Sequence, residues 1–390
     1  MNESRGLRIA VVAACPLPAA RGTPIRIFRL SEALHDLGHE VHVVTYHLGD
    51  RHAPHSFQLH RIKDLGWYTR TQPGPSYLKL AVDLYLAARL SEVIVREDIQ
   101  VIHAHHYEGL LAALLASRTH RIPIVFDVHS LLGSELSSYS LIVPRQVKDA
   151  VGRLLDRKLP GLASHVICVS QEICNRLEDM KAVFPNRVSV VPNGVELDYL
   201  ASGKVYERSE DVGRLIFTGN LARYQGIDLM LTSFASICRQ RDNIILDIVT
   251  SDTFQPYEKL ARQLGIRDRV RIYPDNYSTL PHALANADVA LNPRVDCAGV
   301  PQKLLNYMAA RCPIVSFAGS ARHLEHGCSG LIVDNGDTQA FSQAILTLID
   351  NRNYARQLGS NAYAFVKANL SWEVSAREIE RIFQSVRLTT

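Results

Sequence analysis

The chain has no run of about 18 apolar residues, the length a membrane-crossing helix needs. Its seven cysteines are scattered, with no CxxC pair. That argues against a disulfide framework and favours reduced thiols in the cytoplasm. No GxGxxG follows a strand-like run, and neither GxxxxGK[ST] nor GxSxG occurs. Dinucleotide-dependent dehydrogenases, P-loop enzymes and nucleophile-elbow hydrolases are therefore disfavoured. No Asp-x-Asp pair is present to hold a divalent metal. Charge of one sign is also scarce. The 43 Lys plus Arg against 39 Asp plus Glu leave +4, too little and too mixed for nucleic acid as the main partner.

What is there is ordinary globular composition, 47% hydrophobic and 21% charged over 390 residues, enough for two domains at about 100–200 residues each. Near the start, Val12-Ala13-Ala14-Cys15 follows Arg5 and Arg8 and resembles a lipoprotein cleavage site. Its apolar stretch is short and Pro16 follows at once, so the same residues read better as a first strand.

Leu7–Ala14 is a continuous apolar run, as a strand covered on both faces requires. A loop with Pro16, Pro18, Gly22 and Pro24 follows. Ile25–Leu37 then repeats apolar residues at helical spacing and stops at Gly38. Glu40–Tyr46, Val101–Ala104, Pro123–Val128, His165–Val169 and Arg187–Val191 read as further strands. The pattern breaks near Pro192-Asn193-Gly194 and restarts with Leu215–Thr218, Ile244–Thr250, Arg269–Tyr273, Val289–Leu291 and Ile314–Phe317. Trp372–Leu388 reads as an amphipathic helix. This alternation predicts two doubly wound α/β domains with parallel sheets, which bind ligands at strand carboxyl ends. The expected division is 1–198 completed by 372–390, and 199–371.

The most informative stretch runs from Leu291 to Val315. A strand ends at Leu291, an irregular loop runs to Gly299, and a helix follows in which Pro301 suits the first turn. Backbone N–H groups at that start, from Gly299 through Val300 to Gln302, and the helix dipole make an anion site. Gly299 permits close approach of a ligand. Lys303 and Arg294 supply charge.

Here the sequence resembles the family 4 glycosyltransferases of the GT-B fold, retaining enzymes that use nucleotide-diphosphate sugars. The matching stretches are Val191-Pro192-Asn193-Gly194-Val195-Glu196-Leu197-Asp198-Tyr199-Leu200, Phe217–Asp228, Ala287-Asp288-Val289 and Lys303–Ala310. The resemblance covers nearly the whole chain. It implies two Rossmann-like domains facing a central cleft, the first on the acceptor side and the second binding the nucleotide sugar, with the last helix crossing back onto the first. Two departures stand out. The family's paired glutamates, eight positions apart, fall on Ala298 and Asn306, with Asp296 close by. An arginine and a lysine that usually grip the diphosphate fall on Asn220, after Gly219, and Gln225, before Gly226. Arg223, Arg294 and Lys303 are the nearest replacements. The nucleoside is expected at Asn306, Tyr273 and Leu304.

The first domain adds the Arg21-Gly22-Thr23 loop, whose Gly22 and Thr23 could reach the diphosphate. The resemblance places His129, at the end of a buried strand, against the donor sugar. Catalytic roles thus fall to His129, Lys303 and Arg223. His105 and His106, with Tyr107, are candidates for the acceptor side. The clustered histidines lack a carboxylate motif for metal, so no metal or other cofactor is expected; the nucleotide sugar is a co-substrate. The resemblance further implies retention by same-face attack, since no carboxylate pair at glycosidase spacing can be assigned.

The expected acceptor is a glycan or a lipid-linked molecule, handled in the cytoplasm at the inner membrane face. Trp67, Tyr68 and Tyr77 lie among Arg61, Lys63, Arg70 and Lys79. Leu141–Val143 precedes Arg145, Lys148, Arg153, Arg157 and Lys158. Either stretch suits contact with anionic lipid. The competing readings are a nucleotide-sugar epimerase and a binding protein that has lost catalysis.

Overall fold

The apolar runs form two parallel sheets in a computed structural model that describes residues 6–19, 22–50, 52–69, 77–118, 120–133, 144–205, 212–276, 278–297 and 300–388. The chain divides into two compact units, one ending at Gly194 and resuming at Trp372, the other spanning Val195–Ser371. The first unit contains β1 (Arg8–Ala13), β2 (Glu40–Thr45), β3 (Gln58–Arg61), β4 (Val101–His105), β5 (Ile124–Val128), β6 (His165–Cys168) and β7 (Val188–Val190). They pair in parallel in the order β3-β2-β1-β4-β5-β6-β7. Helix α1 (Gly22–Asp36) and the last helix, Trp372–Leu388, cover one face through Ile27, Leu30, Ile379 and Phe383. The helix Tyr77–Arg96 and α2 (His106–Ala116) cover the other through Val82, Leu86 and Leu110. Ile9 and Val11 of β1 face the first layer, Ala10 and Val12 the second. That double burial is why the strand reads as an unbroken apolar run. Val12 and Ala13 are fully buried there.

The second unit contains β8 (Gly213–Thr218), β9 (Ile244–Thr250), β10 (Val270–Pro274), β11 (Val289–Asn292), β12 (Ile314–Phe317) and β13 (Leu331–Val333). Their order is β10-β9-β8-β11-β12-β13, again all parallel. Val195 donates its N–H to the Leu370 carbonyl at 2.9 Å and bridges Ser371. Residues 195–198, which the sequence pattern joined to the first half, therefore belong with the second. The strands β3 and β13 were not expected. Both are short edge strands, and the alternating polar residues of β3 give no apolar run to read. In each sheet the connections reverse direction once, between β1 and β4 and between β8 and β11. A doubly wound sheet opens its ligand crevice at such a point.

Candidate active site

At the second switch point, β8 ends at Thr218 and Gly219, at φ +120°, turns the chain. A short 3-10 turn, Arg223–Gln225, follows, and Gly226 at φ +71° leads into the helix Ile227–Cys238. A Cβ on Gly226 would stand 2.1 Å from the Pro293 carbonyl oxygen, so only glycine lets this turn pack on the loop after β11. Across that contact lies α3 (Gln302–Ala309). Pro301 is its extended N-cap residue and not part of the first turn, and among the described residues no side chain caps the helix.

These loops carry a chain of side-chain amides that ends on a buried cation. Asn220 Nδ2 donates to the Tyr224 hydroxyl at 2.9 Å, and its Oδ1 accepts from Gln225 Nε2 at 3.2 Å. Gln225 Oε1 accepts from Lys303 Nζ at 2.6 Å, and that ammonium sits 4.0 Å from the centroid of the Phe217 ring. Burial, reinforced by nearby Arg294, brings the Lys303 pKa down to about 7. Lys303 is thus not the solvated charge its place on the helix suggests. Arg294 stacks over Tyr224 at 4.8 Å and donates Nε–H to the Asp296 carbonyl. Arg223 is exposed and pairs with no acid among the described residues.

Gln302 Nε2 and Asn306 Oδ1, one helical turn apart, are 3.4 Å from each other. Two expected nucleoside contacts fail on burial and position. Leu304 is fully buried in the core beneath α3, and Tyr273 lies on the edge strand β10, two strands from β8. Val300 also packs on that core. Ala298 and Gly299 lie outside the described residues, as do Arg21 and Leu141–Val143. Sequence reasoning missed Tyr307, whose buried hydroxyl accepts from the Thr218 N–H at 2.8 Å and from Thr218 Oγ1 at 3.1 Å. It ties the end of β8 to α3.

At the first switch point a polar cluster fills the carboxyl ends of β4 and β5. Arg26, buried on α1, donates Nε–H and Nη2–H to Asp127 Oδ2 at 3.1 and 2.9 Å, and further N–H groups to the carbonyls of Val191 and Pro192 and to Asn193 Oδ1. Burial opposes the Asp127 charge, but the Arg26 guanidinium beside it holds its carboxyl well below the usual range. His129 Nε2 lies 3.1 Å from His105 Nδ1, and His129 Nδ1 lies 3.4 Å from Thr23 Oγ1. His106, at φ +62°, stacks on the His129 ring at 4.6 Å.

Gly22 and Thr23 belong to the first turn of α1 and not to a loop before it, consistent with Pro24 just inside the helix. His105 is fully buried behind His129, and the Tyr107 ring packs edge-on against Phe126 in the core. Neither offers a surface to an acceptor; of the three candidates only His106 is partly accessible. Burial lowers the pKa of both His105 and His129 far below the ordinary histidine value, so both are neutral at pH 7. His105 Nε2 has no partner among the described residues. A proton there would be a stranded donor. Placing it on His105 Nδ1, 3.8 Å from Asp127 Oδ2, makes His105 the donor to His129 Nε2. His129 then carries its proton on Nδ1.

Among the described residues two groups have metal-ligand spacing, His42 with His60 and Glu97, and His103 with His105 and Asp127. A guanidinium already occupies each. Arg96 contacts both His60 and Glu97, and Arg26 is bonded to Asp127. Like charge opposes a cation at either place.

Family models match both units: Glycosyltransferase Family 4 over residues 20–199 and Glycosyl transferases group 1 over residues 202–365. The chain belongs to the family 4 glycosyltransferases. The N-acetyl-alpha-D-glucosaminyl L-malate synthase of Bacillus anthracis is 24% identical over 388 residues, 95% of each chain. The phosphatidylinositol N-acetylglucosaminyltransferase gpi3 subunit of Schizosaccharomyces pombe is 27% identical over 65% of this chain, which spans only 54% of that protein. Among solved structures, Anabaena Alr3699/HepE in complex with UDP-glucose aligns with a TM-score of 0.64 at 16% identity, covering 97% of this chain and all of that one. This glycosyltransferase therefore has the GT-B fold, built on two Rossmann-like parallel sheets. Among the described residues no helix is long and apolar enough to cross a membrane.

Proposed function

We propose that this glycosyltransferase moves a sugar from a nucleotide-diphosphate sugar to an acceptor hydroxyl with retention at the anomeric carbon, in the synthesis of a glycolipid, lipopolysaccharide or exopolysaccharide. The observation that carries this reading is the Asn220–Gln225–Lys303 chain at the uncapped start of α3. A pyrophosphate resting there meets helix N–H groups, the buried ammonium of Lys303, and Arg294 and Arg223 at the rim. Asn306 and Gln302 offer amides to the ribose, in place of a charged acceptor. Likeness to a structure holding UDP-glucose supports a donor of this class.

The departing phosphate oxygen takes the proton of the acceptor hydroxyl as the sugar–oxygen bond breaks and the new bond forms on the same face. The protein's part is positioning and charge stabilisation, and one well-aimed donor to a developing oxyanion contributes about 3 kcal/mol. His129, neutral and donating from Nδ1, contacts the donor sugar and does not itself shuttle the proton. No metal is required for leaving-group stabilisation in this scheme. Incubating the protein with UDP-, GDP- and ADP-sugars tests it. Slow release of nucleoside diphosphate and free sugar is the expected result. An epimeric nucleotide sugar would mark an epimerase, and binding without turnover a protein that has lost catalysis.

A further inference from the structure

The second unit holds a cavity of about 550 Å³ at the amino ends of β8, β9, β11 and β12, the end of the sheet away from Lys303. Gly213 and Ile244 open two of those strands, and Asp288 and Pro313 directly precede the other two. The six residues of β8 separate the two ends of the sheet by about 20 Å, at ~3.3 Å per residue. A ligand in this cavity therefore does not reach Gly219 or Lys303.

Four arginines line the cavity, Arg241, Arg311, Arg352 and Arg356. Two acids line it as well, and both are engaged. Asp350 takes Arg241 Nη2 at 3.2 Å from each carboxylate oxygen, and Asp288 Oδ2 accepts the Arg214 backbone N–H at 2.8 Å. Arg311 and Arg356 are exposed and make no ion pair among the described residues. Ile244, Leu348 and Ile349 give part of the wall an apolar surface.

Folding alone does not favour this arrangement. Arg352 opens the helix Arg352–Asn369, whose first turn holds no acid, so a cation stands at the positive end of the helix dipole. Arg356 follows one turn later, a like-charge spacing that weakens a helix. Arg311 takes φ +57°, unfavourable for a residue with a Cβ. Its guanidinium lies over the Tyr363 ring, 4.2 Å from the centroid. A stacked guanidinium keeps its N–H edge free for an oxygen anion. An anion in the cavity would relieve the repulsion that the empty fold carries.

We infer that this cavity is a second ligand site of the glycosyltransferase, taking a phosphomonoester on a compact organic body, with Arg311 and Arg356 gripping the phosphate. Charge and shape select that class. A phosphomonoester dianion matches two unpaired guanidiniums, whereas one carboxylate would leave a cation over, and the planar fork suits phosphate oxygens. The volume is that of a small-molecule site, and the apolar wall favours an organic body over inorganic phosphate. The inference does not depend on the donor resting at Lys303.

The test is isothermal titration of the full chain with phenyl phosphate, inorganic phosphate and phenol. Phenyl phosphate is expected to bind with a Kd below about 1 mM, inorganic phosphate more weakly, and phenol not at all. Arg311→Gln with Arg356→Gln should weaken phenyl phosphate about tenfold or more, as loss of a charge-assisted contact does. Lys303→Met should leave that binding unchanged. In thermal unfolding, phenyl phosphate should raise the midpoint of wild type and not of the double variant. Ligand-free Arg356→Gln should unfold no earlier than wild type, because it removes a cation from a helix start; an earlier midpoint would show a structural arginine and overturn the inference. No saturable binding, equal binding of phenol or of inorganic phosphate, or full affinity in the double variant would each overturn it too. Binding lost in Lys303→Met but kept in the double variant would place the phosphate in the donor crevice, refuting this site and leaving the donor reading intact.

Discussion

If the pyrophosphate rests on Lys303, nucleotide binding is coupled to proton uptake. The ammonium is buried, bonded to Gln225 and near Arg294, and its pKa stands at about 7. Without ligand it is about half charged at pH 7 and roughly one per cent charged at pH 9. A bound diphosphate restores the charge, because a dianion at contact outweighs the desolvation that removed it. Binding above pH 7 then draws a proton from solvent, and affinity falls by up to about tenfold per pH unit, to a limit near fifty-fold between pH 7 and 9. The same shift acts on stability. The folded Lys303 loses its proton near pH 7 while the unfolded chain keeps it to the ordinary lysine range, so the ligand-free fold gains stability as pH rises through that window.

Isothermal titration of UDP, GDP or ADP, whichever binds, in buffers of different ionisation enthalpy reads the uptake directly. Close to one proton per nucleotide is expected at pH 8.5. Lys303→Arg keeps its charge and should abolish both the uptake and the slope. Lys303→Met should bind weakly at every pH. A wild-type affinity that stays flat from pH 7 to 9, with no uptake, would refute the assignment of the pyrophosphate to this ammonium.

His129→Ala should lower turnover by about a hundredfold while changing donor affinity little, as loss of one positioned donor does; equal losses in both would argue against a role in the chemical step. His105→Ala should lower turnover with less effect on donor binding, and His105→Asn, which keeps an N–H near the lost Nδ1, should restore part of it. A nitrogen-15 spectrum placing the His129 proton on Nε2 would contradict the tautomer argued above. Arg26→Met strands a buried carboxylate and should cost about 3–5 kcal/mol in urea unfolding, most of it recovered when Asp127→Asn is added. Activity should survive exhaustive chelation, and a loss reversed by added divalent metal would falsify the metal-free scheme.

The sheets were legible because most strands are covered on both faces and so print as apolar runs. β3 and β13 were not, being short and at the edges. Residue type and spacing marked the strand ends and the start of α3, since glycines at Gly219 and Gly226 and proline at Pro301 write backbone constraints into the sequence. Depth was not written there. His105 and His106 are neighbours with similar local sequence, yet one is sealed and the other partly open, because His105 ends a central strand while His106 begins the next helix. No local pattern singles out Arg26, whose partner Asp127 lies 101 positions away. Lys303 draws its environment from Phe217 and from Gln225, 78 positions upstream. Such long-range pairings decide which groups are charged, and no local pattern carries them.

The amides at 220 and 225 need not mean a weakened anion site. A lysine at 225, the residue the family resemblance leads one to expect, would bring a second ammonium towards Lys303, whose Nζ now lies 2.6 Å from the Gln225 carbonyl oxygen. Two such charges near 4 Å repel by about 4 kcal/mol at a surface-like dielectric. Gln225 Oε1 instead accepts a hydrogen bond from Lys303 Nζ, and Gln225 Nε2 donates one to Asn220 Oδ1, so each amide satisfies the next. The cation thus stands on the first turn of α3, and the loop after β8 supplies its acceptor.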